Sequence, residues 1–279
     1  MNQSNAALKI VDQVNSFTQD QKHTSKTEAF VAIQPSQIAT VLQDSGFNLV
    51  HLKMGRAKLQ DRAAHQTTIA RYRSETELTI GGLHMDLVFK VPHLYGALQA
   101  FLGTYRQVCS NGLVVGSKFF EAPRIRHTGD ALSQLEALIP VLVSKHDQLV
   151  DSIREMQARN VTPSQVADFV REIANLRLGL NQGEQSNVVS IQYGDLMRVR
   201  RQADSGQDAF SILNVVQENV MRFGVRYVTS SQDEQGRTNL RNMTARPVMR
   251  NRQGETESVR SVDLNASIWD AASKILMAA

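Results

Sequence analysis

Met85, Leu87, Phe89 and Val91 stand at every second position and stop at Pro92. A period of two puts all four side chains on one face of a strand, so the chain must build a sheet with that face in a core. Two further segments carry the same signal. Val50, Leu52 and Met54 alternate with polar positions, and Ile69, Arg71 and Arg73 share one face against Ala70 and Tyr72 on the other. Gly81-Gly82 marks the turn into the third strand, while 95–105 reads as a short helix. Ahead of these, Ser36 is suited to cap a helix that stops at Gly46.

After Gly129 the period changes. Leu132, Leu135, Ile139, Leu142, His146, Leu149, Ile153 and Met156 keep a three-four spacing, as on a packed helical seam interrupted at Pro140. Thr162-Pro163 supplies a cap and a first-turn proline for another helix through Val166, Phe169, Ile173, Leu176 and Leu180. His146 is the polar member of the seam, a place where polar groups tune pairing. Strands followed by helices give an α+β class. The predicted architecture is an antiparallel sheet with a strand-strand-strand-helix core, a helical hairpin insertion and a mixed C-terminal part. It divides into a flexible N-terminal segment (1–26), a core domain (27–128), the hairpin (129–182) and a part completing the core (183–279). The last holds a helix around 210–221 and a closing helix around 267–277.

With 279 residues and 42% apolar content, the chain can bury a core. One cysteine forms no internal disulfide and no cysteine pair exists for structural zinc, which fits a reducing cytoplasm. The longest apolar runs, such as that at 139–143, are far shorter than a membrane span, and the N-terminus carries no basic-then-apolar leader. The expectation is a soluble protein without a membrane partner. Net charge is +4, and its distribution matters more than its sum. Lys53, Arg56, Lys58, Arg62, Arg71 and Arg73 face the single Asp61 over 53–73, and Arg237, Arg241, Arg246, Arg250 and Arg252 stand without an acid over 237–252. Between them, 130–172 is acidic.

These basic segments are the candidate site. Arg71 and Arg73 on one strand face would lie about 6.6 Å apart along the chain, a comb for successive phosphates. Tyr72, Tyr95 and Tyr105 could stack bases, and Arg106 could turn toward the same surface. Asn239, Asn242, Thr244 and Asn251 interleave the second cluster and suit phosphate contacts. Cys109 is the candidate nucleophile if His93 or His65 lies beside it, against a plain reading as a small buried hydrophobe behind the Asn111-Gly112 turn. His84, Asp86 and His93 lack regular ligand spacing, so no metal is expected. Neither a phosphate-binding loop nor a dinucleotide fingerprint is present, so no cofactor is expected. Gln217 and Glu218 are expected to act as a buried hydrogen-bond anchor between lobes.

Tyr105-Arg-Gln-Val-Cys-Ser-Asn-Gly-Leu-Val-Val115 resembles the core motif of the phage/plasmid-like domain-of-unknown-function 932 family. The likeness extends through Phe30-Val-Ala-Ile-Gln-Pro-Ser36, Leu42-Gln-Asp-Ser-Gly-Phe47, Thr68-Ile-Ala-Arg-Tyr-Arg73, Ile212-Leu-Asn-Val-Val-Gln-Glu218 and Asn265-Ala-Ser-Ile-Trp-Asp270, in the same order along the chain. Val91-Pro-His-Leu-Tyr-Gly96 departs from the polar run that members often carry, and lacks the acid beside its histidine. The resemblance implies an opening strand at 30–36, relatives on prophages and plasmids, and a cytoplasmic setting in the host bacterium. The strand-strand-strand-helix order is similar to the core of single-strand annealing proteins, a likeness of fold alone. Together these lead to the expectation of a non-enzymatic nucleic-acid binder, for single-stranded DNA in recombination or replication, acting as a homo-oligomer. Two alternatives stay open: a protein-interaction module for counter-defence or regulation that docks through the helical hairpin, and a cysteine-dependent enzyme.

Overall fold

The computed structural model describes residues 22–54, 65–77, 83–94, 96–106, 113–114, 124–180, 187–245 and 258–278. They belong to two units, 1–150 with 250–263 and 151–249 with 264–279. The class is α+β with antiparallel sheets.

In the first unit, α1 (Pro35–Asp44) starts two residues earlier than a cap at Ser36 would place it. Gln34 is its N-cap, its backbone N–H donating to Gln37 Oε1 at 3.0 Å, and Pro35 takes the first helical position. Gly46 follows the helix end at φ +77°, where a side chain would strain the backbone. Residues 30–34, expected as a strand, join no ladder; Val31 N–H instead donates to the His127 carbonyl at 3.0 Å.

Strands β1 (Phe47–Met54), β2 (Thr68–Glu77), β3 (Leu83–Val91) and β4 (Leu98–Arg106) pair in chain order, and the short β5 (Leu113–Val114) and β6 (Arg124–Ile125) both join β4. Opposed residues share a face. The register therefore stacks Leu49, Tyr72, Leu87 and Leu102 in one row and Leu52, Ala70, Phe89 and Ala100 in the next, all buried. Ile38 and Leu42 of α1 are buried too, and the Tyr72 hydroxyl donates to the Pro35 carbonyl at 3.0 Å. Burial drives that phenol far above its ordinary pKa, so it remains a donor at every physiological pH.

The segment expected as a helix over 95–105 is strand β4, which corrects the fourth element of the core. Alanine, leucine and glutamine raise helix propensity there, but Leu98, Ala100 and Leu102 also alternate, and pairing with β3 from Leu83↔Arg106 to Lys90↔Gln99 decides the outcome. The reversal is made at Gly96, φ +105°. An all-strand order removes the likeness to the annealing-protein core.

The region 129–182 forms three helices: α2 (Ala131–Ser144), α3 (His146–Ala158) and α4 (Pro163–Leu178). Leu135, Ile139, Leu142, Leu149, Ile153 and Met156 of the seam are buried. Pro140 lies within α2 on its exposed side, where water can take the carbonyl that the proline ring leaves unpaired, and the break comes at Lys145 instead. Helix α2 packs on α1 and β6 in the first unit. In the second, α4 packs on the helix introduced below as α5. Its start is the expected Thr162 cap, with Thr162 N–H donating to Gln165 Oε1 at 2.9 Å and Gln165 N–H to Thr162 Oγ1 at 3.3 Å.

The second unit carries a three-stranded sheet, β7 (Val188–Ile191), β8 (Val225–Gln232) and β9 (Thr238–Ala245), in the order β7-β8-β9. Helix α5 (Ala209–Arg222) is its core element, buried almost throughout. Asp208 caps it, accepting from Ser211 N–H at 2.9 Å and Ser211 Oγ at 2.6 Å. The closing helix α6 (Ser258–Ile275) supplies the fully buried Trp269. Leu213, fully buried on α5, tests this assignment: Leu213→Ala should lower unfolding free energy by about 2–5 kcal/mol in urea titration.

Candidate nucleic-acid interface

The first basic segment does not present a free comb. Arg73 lies opposite Asp86 across β2 and β3, and donates Nε to Oδ1 at 2.9 Å and Nη2 to Oδ2 at 3.1 Å. Arg71 brings its Nε to 3.3 Å from Asp86 Oδ2. Asp86 is fully buried and both arginine side chains are about four-fifths so. Burial pushes the Asp86 carboxyl up, against the hydrogen bond and charge of Arg73 and the charge of Arg71. The two cations thus serve as counter-charges to a carboxylate inside the sheet. Tyr72, expected to stack bases, is sealed in the core. Lys53 stands at the end of β1 opposite Ile69, and Arg106 at the end of β4 opposite Leu83. Arg56, Lys58 and Arg62 lie outside the described residues, as do Tyr95, Cys109 and Asn111-Gly112.

Of the second basic segment, 237–249 belongs to the other unit and 250–252 to the first. Arg237 closes the β8–β9 turn, its Nε donating to Asp233 Oδ2 at 2.8 Å, and Asp233 is held below the usual carboxylate range by that turn. Arg241 is exposed on β9. Arg246, Arg250 and Arg252 lie outside the described residues.

The surface that does combine cations with an open aromatic ring was missed at the sequence level. It is built on the end of α5. Asn219, 1% exposed, directs Nδ2 at the carbonyls of Leu196 (3.0 Å), Arg198 (2.9 Å) and Val215 (2.9 Å), and accepts from Arg200 Nε on Oδ1 at 2.6 Å. That amide fastens the 196–200 loop to the helix. Beside it, buried Glu218 accepts from Arg201 at 2.6 Å and Arg222 at 3.0 Å. The Arg200 guanidinium carbon lies 3.6 Å from the centroid of Phe223, and that of Arg222 lies at 5.8 Å. Phe223 itself is 44% exposed. Arg226 is paired with Asp195. Five arginines (198, 200, 201, 222 and 226) therefore meet two carboxylates, which leaves the surface positive. The run Arg198-Val-Arg-Arg201 was a visible signal, whereas Phe223, 23 residues beyond Arg200, was not.

His93 and His127 form a separate feature of the first unit. Both are buried, with ring centroids 6.5 Å apart, and neither Nε2 has a hydrogen-bond partner among the described residues. His127 Nδ1 faces the Ile33 N–H at 3.4 Å, and its ring stacks on Phe30 at 4.9 Å. Burial, with the charges of His127 and His65, lowers His93 from 6.5 to about 4. Burial lowers His127 as well. A general base beside a thiol would need a pKa nearer neutrality. Among the described residues no group of three or more His, Cys, Asp or Glu is placed to hold a metal ion.

These features can be set beside known proteins. The chain matches the family described as Domain of unknown function (DUF932) over residues 22–269. It belongs to the DUF932 family. The chain is similar to the UPF0380 proteins YafZ and YfjQ of Escherichia coli (strain K12), 24% and 26% identical over 264 residues, each alignment covering 93% of this chain and 87% of the relative. No solved structure matches the chain significantly. Two of the motifs that carry the resemblance acquire a physical reading here. Gln217 Nε2 donates to Asn265 Oδ1 at 3.1 Å, so the α5 and α6 motifs meet through a buried amide pair, with Trp269 buried one turn further on. The anchor expected of Gln217 and Glu218 between lobes instead acts within the second unit, because Asn265, Arg201 and Arg222 all belong to it.

Removing one partner of a buried ion pair leaves the other charge uncompensated. Asp86→Ala should therefore cost about 3 kcal/mol or more in urea unfolding, whereas an exposed pair such as Arg171 with Asp168 should cost less than about 1 kcal/mol when broken. The His93 shift gives a pH dependence of defined sign. Its folded pKa lies below the unfolded one, so its contribution is present above about 6.5 and is lost as pH falls toward about 4. Unfolding free energy measured between pH 7.5 and 4.5 should fall on acidification, and His93→Phe should flatten the slope by about 3 kcal/mol at most.

Proposed function

We propose that this chain binds single-stranded nucleic acid, DNA in the first instance, on the positive surface formed by Arg198, Arg200, Arg222 and Phe223. The observation that carries the reading is the Arg200 guanidinium carbon lying 3.6 Å over the ring of an exposed Phe223 while Asn219 clamps the loop. Single strands are held without sequence preference by cations that follow the phosphates and by rings that stack the bases. Both elements are present in one place and on a backbone fixed before any ligand arrives. The arginines first expected to form the phosphate comb, Arg71 and Arg73, are committed to Asp86 in this reading, so the site moves to the second unit. No acid, base or nucleophile is needed for such a role. Recombination or replication of a mobile element is the setting proposed with it, in line with the resemblance of the chain to phage and plasmid proteins.

Fluorescence anisotropy with a labelled oligonucleotide of about 20 nucleotides tests the reading. Affinity should fall steeply between about 50 and 200 mM salt. Arg198→Ala should reduce the salt slope by about one, and Phe223→Ala should weaken binding by about 1–3 kcal/mol with the slope unchanged. No binding at the lower salt, or binding indifferent to salt, overturns the proposal.

A further inference from the structure

The outer edge of the second unit's sheet has a property that the nucleic-acid reading does not use. Among the described residues β9 has β8 as its only strand partner, and 238–243 are exposed. Leu240 is 67% exposed, the most of the large apolar side chains described, and Met243 is 38% exposed on the opposite face. A long edge of this kind is a template for another strand, and natural sheets blunt it with proline, lysine or bulges. Strand β9 has none of these: its pairing with β8 runs without a register shift from Val225↔Ala245 to Gln232↔Thr238, and its one charged residue is Arg241.

The hydrogen-bond phase of the ladder shows which groups point outward. At the turn, Asp233 N–H donates to the Arg237 carbonyl at 3.0 Å. On the other side of β8, Ser230 N–H donates to the Asn187 carbonyl and the Arg226 carbonyl accepts from Gln192 N–H, both at 2.9 Å. Even-numbered positions of β8 therefore face β7, and its odd-numbered positions bond to β9. By the same alternation Asn239, Arg241, Met243 and Ala245 spend their backbone groups on β8, while Thr238, Leu240, Asn242 and Thr244 direct theirs away from the sheet.

We propose that this edge pairs antiparallel with the same edge of a second copy of the chain, with Asn242 on the two-fold axis. A two-fold axis that joins two edges into one sheet must stand normal to it, so each side chain keeps its face and only positions of equal parity can meet. Centring on Asn242 satisfies this. It mates Leu240 with Thr244 of the partner copy and Asn242 with itself, all with outward backbone groups, and sets Arg241 beside Met243 rather than beside another arginine. A pairing centred one residue earlier would oppose the two Arg241 side chains and is disfavoured. The result is a continuous six-stranded sheet made from two copies of β7-β8-β9. This dimer stands independently of the role given to Arg198, Arg200 and Phe223.

Light scattering on the full chain between about 5 and 100 μM tests the proposal by mass action. Wild type should approach twice the chain mass. Asn242→Pro removes an outward N–H that carries no ladder bond, so it should give a monomer with unchanged circular dichroism. Leu240→Lys, which charges the edge without touching the backbone, should do the same and decides the matter if the proline variant does not fold. A monomeric wild type at the highest concentration, or a dimer that survives in the folded variants, overturns it.

Discussion

The second unit hangs its surface on one buried amide. Asn219 has two donors and one acceptor atom, and all are engaged: the nitrogen serves three carbonyls, one of them by sharing, and the oxygen receives Arg200. Because α5 is buried almost along its length, the position of Asn219 is set by the core, and through it the core sets the path of the 196–200 loop. The exposed cations are thereby placed without being packed. This separates two tasks that a loop usually confuses, holding the chain still and leaving its side chains available.

Glu218 makes the complementary contribution. It pairs with Arg201 and Arg222 and fixes the directions of both guanidinium groups. Arg200 is left to Asn219 and to the ring of Phe223, over which its guanidinium carbon lies. In the first unit the same residue type has a different fate. Arg71 and Arg73 are held by one carboxylate that lies under the sheet surface, and both guanidinium groups are turned to it. A count of arginines along the chain treats these two sites alike, and the partner carboxylates distinguish them.

That contrast explains what was legible in the sequence. The alternation of Met85, Leu87, Phe89 and Val91 read correctly as a buried strand face, and Thr162-Pro163 read correctly as a helix start, because both signals are local. The 95–105 segment misled because its helix-forming residues also alternate, and the choice was made by a partner strand that no local pattern contains. The fate of Arg73 depended on the register that sets it opposite Asp86, 13 residues away. The meeting of Gln217 with Asn265 spans 48 residues, and no local pattern contains it. Distance along the chain, more than burial or charge, divides what the sequence disclosed from what it withheld.

The division of the chain between the units has a consequence for its synthesis. The second unit interrupts the first: 151–249 emerges from the ribosome before 250–263, which belongs to the first unit, and 264–279 follows to complete the second. Neither unit has its full set of residues until the last thirty or so have been made. Each must wait in an unfinished form, with the α6 segment, including Trp269, added at the end. A chain cut before 250 would therefore lose part of both units at once, whereas a cut after 263 would spare the residues of the first.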